Sequence, residues 1–111
     1  MQVVFLVLYK TECLQDLVNE LKANDFSSGT IIDSYGIYHA QAKSDQRLLD
    51  QIRIFIENPH EDSKILFFIV KNERVEQLKS IIDRCVGGIE NPHTGIIFGF
   101  EPSFFCGLHH S

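Results

Sequence analysis

Tryptophan is absent from the chain, methionine occurs once, and only three cysteines appear among 111 residues. Without tryptophan, a core has to be built from aliphatic side chains and the nine phenylalanines. Cys13, Cys85 and Cys106 cannot all pair within one chain, and the first two fall in stretches that read as helical. That pattern is one of reduced thiols in the cytoplasm, not of a disulfide scaffold. Positive charge is scarce as well: ten Lys and Arg stand against fifteen Asp and Glu, a formal net charge of −5. Such a balance argues against a chain that grips a nucleic-acid polymer or an anionic membrane surface. No apolar run approaches the about 20 residues of a membrane span. The run from Met1 to Tyr9 also lacks a basic leader and a small-residue cleavage site, so it reads as neither a span nor a signal peptide. A phosphate-binding loop, a nucleophile elbow and a zinc-protease signature are all missing, which leaves the sequence without a motif for enzyme chemistry.

What is present is the composition of a folded domain, 44% hydrophobic and 23% charged, which excludes disorder and fibrous repeats. The length predicts one domain over 1–111, with the tail from about residue 103 more loosely held. Val3 to Tyr9, rich in β-branched and aromatic residues, reads as a strand that is apolar on both faces. Thr11 then supplies a helix N-cap, with Glu12 in the first turn where a carboxylate suits the helix dipole. Leu14, Leu17, Val18 and Leu21 form one amphipathic stripe that ends near Asn24, before the turn-formers Ser27-Ser28-Gly29. Thr30 to Ile37 reads as a second strand and Lys64 to Val70 as a third. Asn72 with Glu73 caps a second helix with the stripe Val75, Leu78, Ile81, Ile82 and Cys85, and Gly87-Gly88 stops it. Thr94 to Phe100 makes the last strand.

A displacement of 61 residues lays the second half on the first: Tyr9-Lys10-Thr11-Glu12 falls on Val70-Lys71-Asn72-Glu73, and Leu14, Leu17 and Leu21 fall on Val75, Leu78 and Ile82. Two βαβ halves of this size predict an α+β, ferredoxin-like βαββαβ sandwich, a four-stranded sheet backed by two helices. Between the halves, Tyr38 to Ser63 carries an extra helix: Ser44 caps it, Leu48, Leu49, Ile52, Phe55 and Ile56 line one side, and Asn58-Pro59 ends it. The strands lack the apolar-polar alternation of a sheet with one wet face. Either that middle helix or a second subunit has to cover the face opposite the two main helices.

With these halves in place, the chain resembles the nitrogen-regulatory P-II superfamily, and in particular its small P-II-like branch. The likeness rests on Val4-Phe5-Leu6-Val7 before the first helix, on Gly29-Thr30-Ile31-Ile32-Asp33-Ser34 leading to Gly36, on Lys64-Ile65-Leu66-Phe67, and on Asn91-Pro92-His93-Thr94-Gly95-Ile96-Ile97-Phe98 with Gly107-Leu108 beyond. It implies a homotrimer that senses a small molecule, often an adenine nucleotide, in clefts between subunits and signals to a protein partner through the loop after the second strand. Here that loop is the segment Tyr38 to Ser63, whose helical pattern departs from the long flexible loop of the family. Nucleotide-binding members place Gly-Lys at the start of the last strand and arginines after it. Gly95 stands at the glycine, but Ile96 replaces the lysine, and Glu101 to Ser111 holds no Lys or Arg. A triphosphate is therefore disfavoured against a less charged ligand such as a cyclic nucleotide or a metabolite.

Candidate ligand-binding residues are Gly36, Gly87, Gly88 and Gly95, where backbone can approach a ligand, joined by Ser34, Tyr35, His93 and Thr94 when the cleft of the family is carried over. The plainer reading of these glycines is that they permit left-handed turns or a bulge. His39, His60 and His93 are scattered and make no metal-ligand spacing. Cys106 with His109 and His110 offers soft-metal donors on a tail, and solvated tail residues are the simpler account. Cys13 sits in the first turn of a helix, a place where a nucleophilic thiol can be found, yet no histidine accompanies it. The expectation is thus a cytoplasmic, non-enzymatic, homotrimeric ligand sensor. Two alternatives stand beside it: a dimeric α/β-barrel enzyme whose paired sheets enclose a small-molecule cavity, and a ligand-free interaction module that docks through Leu48, Ile52 and Phe55.

Overall fold

In the computed structural model, which describes residues 1–37 and 63–108, alternate residues of the first strand meet two different environments. In β1 (Gln2–Leu8), Val4, Leu6 and Leu8 are buried, while Val3, Phe5 and Val7 on the opposite face are only half-buried. The other elements are α1 (Leu14–Ala23), β2 (Thr30–Ser34), β3 (Ser63–Val70), α2 (Val75–Cys85) and β4 (Gly95–Phe100). Among the described residues the fold is α+β, with a four-stranded sheet ordered β2-β3-β1-β4 and two helices. Every neighbouring pair is antiparallel. Each crossover skips one strand, β1 to β2 over β3 and β3 to β4 over β1, so the two halves interlock at the β1/β3 centre. The expected middle helix lies outside the described residues.

Leu17 and Leu21 of α1 and Leu78, Ile81 and Ile82 of α2 pack on the buried strand residues Val4, Leu6, Leu8, Leu66, Phe68 and Val70. Each such side chain contributes roughly 1.5–3 kcal/mol through the apolar surface it withdraws from water. The helical periodicity seen in the sequence is thus the core stripe.

The helix starts differ from the sequence expectation. Thr11 and Asn72 do not cap through their side chains; each opens a short 3-10 turn, Thr11–Cys13 and Asn72–Arg74. The amide of Cys13 donates to the Lys10 carbonyl at 3.1 Å and that of Arg74 to the Lys71 carbonyl at 2.9 Å. Backbone carbonyls therefore satisfy donors that a capping side chain would otherwise take.

Both helices end in the same paired arrangement. After α2, the Gly87 amide donates to Arg84 O at 3.3 Å and the Gly88 amide to Asp83 O at 2.9 Å, with Gly87 at φ 77°. After α1, Asp25 (φ 65°) donates to Lys22 O at 3.2 Å and Phe26 to Leu21 O at 2.8 Å. These are Schellman ends, and the one after α2 falls on the Gly87-Gly88 pair expected to stop that helix. Strand boundaries shift by a residue or so, except that β2 stops at Ser34 and leaves Tyr35 to Ile37 outside the sheet. No helix among the described residues is long and apolar enough to cross a membrane.

Candidate functional site

Two groups of candidate residues lie at one end of the sheet. Gly87, Gly88, His93, Thr94 and Gly95 belong to the connection from α2 into β4, beside the end of β1, where Leu8 pairs with Gly95. Ser34, Tyr35 and Gly36 leave β2, where Ser34 pairs with Ser63. Both groups share this end because Leu8 also pairs with Lys64, the neighbour of Ser63. They stand on opposite edges, however, since β2 and β4 are the outer strands. Three strand spacings separate them, about 14 Å. One copy of the chain does not bring the two groups together.

The α2–β4 connection is held largely by its own backbone. Besides the two Schellman bonds, the Ile89 amide donates to Asp83 Oδ1 at 2.8 Å and the Asn91 amide to Gly88 O at 3.1 Å. Asn91 Nδ2 donates to Gly87 O at 2.7 Å. Thr94 is buried, and its carbonyl accepts the amides of Tyr9 at 3.0 Å and Lys10 at 3.1 Å, which ties the connection to the end of β1. His93 is exposed and left-handed, with φ 60°. At Gly95 a Cβ would come 2.7 Å from Val7 O, so this glycine is needed for the approach of β4 to β1.

These bonds decide what the loop can bind. The amides of Gly87, Gly88, Ile89 and Asn91 are all engaged within the chain, so they do not form the cradle of free donors that a phosphate requires. A group missing from the sequence-based set lies beside them: Lys10 Nζ donates to Val86 O at 3.1 Å and stands 3.5 Å from where a Gly87 Cβ would be. An ammonium carries three donors, so Lys10 keeps capacity for a ligand carbonyl or a single anionic oxygen. Its place in the repeated Tyr9-Lys10-Thr11-Glu12 tetrad was the available signal, but the matching Lys71 is exposed and has no such role.

At the other edge, Ser34 Oγ and Ser63 Oγ are 2.7 Å apart and Lys64 Nζ donates to Asp33 Oδ1 at 2.6 Å. Tyr35 is 44% exposed. Among the described residues no group of three or more His, Cys, Asp or Glu side chains is placed to hold a metal. Cys106 is exposed, while His39, His60, His109 and His110 lie outside the described residues.

The sheet face turned away from α1 and α2 is apolar across β1, β3 and β4 except at Ser63, which starts β3 opposite Ser34. Its rows are Ile32-Ile65-Val7-Ile96, then Thr30-Phe67-Phe5-Phe98, then Ile69-Val3-Phe100. Phe5 is at the centre, its ring centroid 5.4 Å from that of Phe67, 5.2 Å from Phe98 and 6.1 Å from Phe100, all stacked. Ile96, Phe98 and Phe100 are each about half exposed. A separate cavity of about 140 Å³ opens between α1 and β2 against Leu21, Phe26, Ile31 and Phe68, and none of the candidate residues lines it. No protein-family model matches the chain, and the comparison with curated proteins finds no match.

Proposed function

We propose that this protein is a cytoplasmic, ferredoxin-like sensor of the P-II type, a homotrimer that binds a small molecule at clefts between subunits and relays that state to a protein partner. The strand order and the antiparallel neighbours support the ferredoxin-like reading. The observation that carries the proposal is the division of the candidate residues between opposite edges at one end of a sheet whose open face is apolar. A neighbouring copy that sets its Ser34, Tyr35 and Gly36 against Lys10 and the Gly87 to Gly95 connection completes a cleft. Contact between two different edges is heterologous, and where its rotation closes it makes a ring, of which a trimer is the smallest usual case. The self-satisfied amides of the connection favour a ligand of low charge, a cyclic nucleotide or a metabolite, over a triphosphate.

Light scattering of the purified chain at micromolar concentration tests the assembly, and a thermal-shift series with ATP, ADP, AMP and cyclic nucleotides tests the ligand. A trimer whose melting temperature rises with a nucleotide of low charge is the expected result, because a ligand that binds the native state alone stabilises it. A monomer removes the intersubunit site. A trimer that no nucleotide stabilises removes the nucleotide-sensing part. The Phe67-Phe5-Phe98 row favours one second reading, the dimeric α/β-barrel enzyme in which two such faces enclose a cavity. That reading is separated from the first by a dimeric mass.

A further inference from the structure

We infer that the cavity between α1 and β2 is a second small-molecule site, which takes a monocarboxylic acid carrying one aromatic ring. The inference stands apart from the assembly proposed above, because none of the intersubunit candidates lines this cavity and it lies within one copy. Leu21, Phe26, Leu66 and Phe68 form its walls, and all four are buried. Its volume of about 140 Å³ is close to the about 150 Å³ of an apolar protein cavity that stays dry and takes up one benzene ring. Two phenylalanine rings among the walls suit an aromatic guest, since offset and edge-on ring pairs are favoured beyond their burial alone. Arg74 lies 3.9 Å over the Phe26 ring and donates to the carbonyls of Asn24 and Asp25, which holds this wall in place.

The mouth of the cavity supplies the charge. Lys22 and Ser27 belong to its lining and are exposed. Ion pairs among the described residues join Lys64 to Asp33, Lys79 to Glu76 and Arg84 to Glu20, which leaves the Lys22 ammonium unpaired. A cation at the mouth of an apolar pocket matches the carboxylate of a ring-bearing acid, and the Ser27 hydroxyl adds a donor. The other half of the chain shows what this arrangement adds. Between α2 and β4 lies a gap of about 300 Å³, of whose lining residues only Val4 is buried. Its cation, Lys79, is tied to Glu76 Oε2 at 2.9 Å. The two Schellman ends differ in the same sense, since the residue that closes the longer bond is Phe26 after α1 and Gly88 after α2. Of the two gaps, only the one beside α1 combines buried aromatic walls with an unpaired cation.

The test titrates 4-fluorophenylacetate and its neutral amide into the full chain by fluorine NMR, with labelled methyl groups of Leu21, Ile31 and Leu66 reporting the location. The acid is expected to bind more tightly than the amide by about two- to fivefold, the range of an exposed charge contact, and to shift those methyls. Lys22→Gln, a change at an exposed side chain, is expected to bind acid and amide equally. Val18 is a half-buried lining residue, and Val18→Phe is expected to weaken both probes roughly tenfold or more by filling the cavity, with circular dichroism to check its fold. Should Val18→Phe not fold, Lys22→Gln and the methyl shifts decide alone. The inference is overturned if neither probe binds at millimolar concentration, if wild type binds acid and amide equally, or if the acid preference survives Lys22→Gln. It is overturned as well if the probes shift the amides of Gly87 to Gly95 in place of those methyls, a result that instead supports the intersubunit cleft. A chain that is monomeric in solution removes that cleft and leaves the expectations for this cavity unchanged.

Discussion

Lys10 and Val86, 76 positions apart, are joined where the Lys10 ammonium donates to the Val86 carbonyl at the end of α2. The other half has a counterpart: Arg74 Nη2 donates to Asn24 O at 2.7 Å at the end of α1, and Nη1 donates to Asp25 O at 3.2 Å. Each β-to-helix turn thus sends a cation to the C-terminus of the helix of the opposite half, where unsatisfied carbonyls and the helix dipole favour positive charge. The guanidinium also lies 3.9 Å over the Phe26 ring. These cross-braces couple two halves that share one sheet, and they run between residues that a local reading of sequence does not connect.

Arg74→Met is expected to destabilise the fold by about 2 kcal/mol, since charge-assisted hydrogen bonds contribute roughly 1.5–3 kcal/mol and the ring contact about 0.5–1 kcal/mol, less what the partly exposed site recovers from water. Arg74→Lys is expected to recover only part of that, because a point charge cannot hold both carbonyls and stack on the ring. Urea titration of both variants measures it. Equal stability of Arg74→Met and wild type would show that the brace contributes nothing.

The helices were legible in the sequence because their apolar residues recur at the spacing that faces a core, and Leu17, Leu21, Leu78 and Ile82 are buried as that spacing requires. The apolar face turned away from α1 and α2 was legible for the matching reason: Phe5 and Phe67 occur where a wet strand would carry polar residues. Capping was misread at Thr11 and Asn72, because residue type does not distinguish an N-cap from the first residue of a 3-10 turn. The expected end of β2 at Ile37 overshot, because the apolar character of Tyr35 and Ile37 does not report whether a strand still has a partner. At the candidate site, Gly87 and Gly88 were visible as left-handed turn residues and are so, whereas Gly36 and Gly95 have no positive φ and Gly95 instead lets β4 approach β1. Lys10 beside Gly87 was not visible, since that proximity depends on the packing of β1 against the α2–β4 connection.

Gly87→Ala is expected to cost about 1–2 kcal/mol, because the left-handed conformation at φ 77° strains a residue with a Cβ. The converse change is available at the other helix end: Asp25 occupies the same Schellman position at φ 65°, so Asp25→Gly is expected to stabilise by about 0.5–1 kcal/mol. Thermal melts of the two variants should move in opposite directions. A fall in both would mean that contacts of the Asp25 side chain outweigh its backbone strain.

Gly95→Ala separates a structural glycine from a ligand-contacting one. The added Cβ meets the Val7 carbonyl at 2.7 Å, a backbone atom that yields only if β4 moves away from β1. Faster hydrogen exchange of the Ile96 and Phe98 amides, which face β1, is expected without any ligand, with a stability loss of about 1–3 kcal/mol in the range of strained backbone substitutions. Unchanged exchange with lost ligand response would instead make Gly95 a binding residue.

The three thiols should differ in reactivity and in their effect on stability with pH. Burial, the main cause, raises the Cys85 pKa above its ordinary 9.0; Arg84 opposes this, while Glu20, Asp16 and Cys13 add to it. Cys106 is exposed and Cys85 half-buried, so a disulfide reagent at neutral pH is expected to label Cys106 first and Cys85 well after it. The linkage follows from the direction of the shift. Between 9.0 and the higher folded value the unfolded chain has lost the Cys85 proton and the folded chain still holds it, so stability decreases as pH rises. This contribution is complete below pH 9.0 and is lost as pH climbs through the folded value. Cys85→Ala should therefore flatten the alkaline limb of stability against pH. An unchanged limb assigns it to other groups.

Phe98→Glu probes the open face with little disturbance of the core. Phe98 is 47% exposed in one copy and stacks on Phe5, so its replacement removes an aromatic contact of about 0.5–1.5 kcal/mol together with part of its apolar burial. In an assembly that covers this face the same change places a carboxylate, without a partner, in apolar surroundings, where its desolvation costs several kcal/mol for each copy. The expected outcome is a folded chain that no longer associates, with Phe98→Leu associating more weakly than wild type but measurably. Sedimentation of the three proteins at matched concentrations reads the series. If Phe98→Glu associates as tightly as wild type, the copies meet elsewhere, and the apolar face is not the surface that joins them.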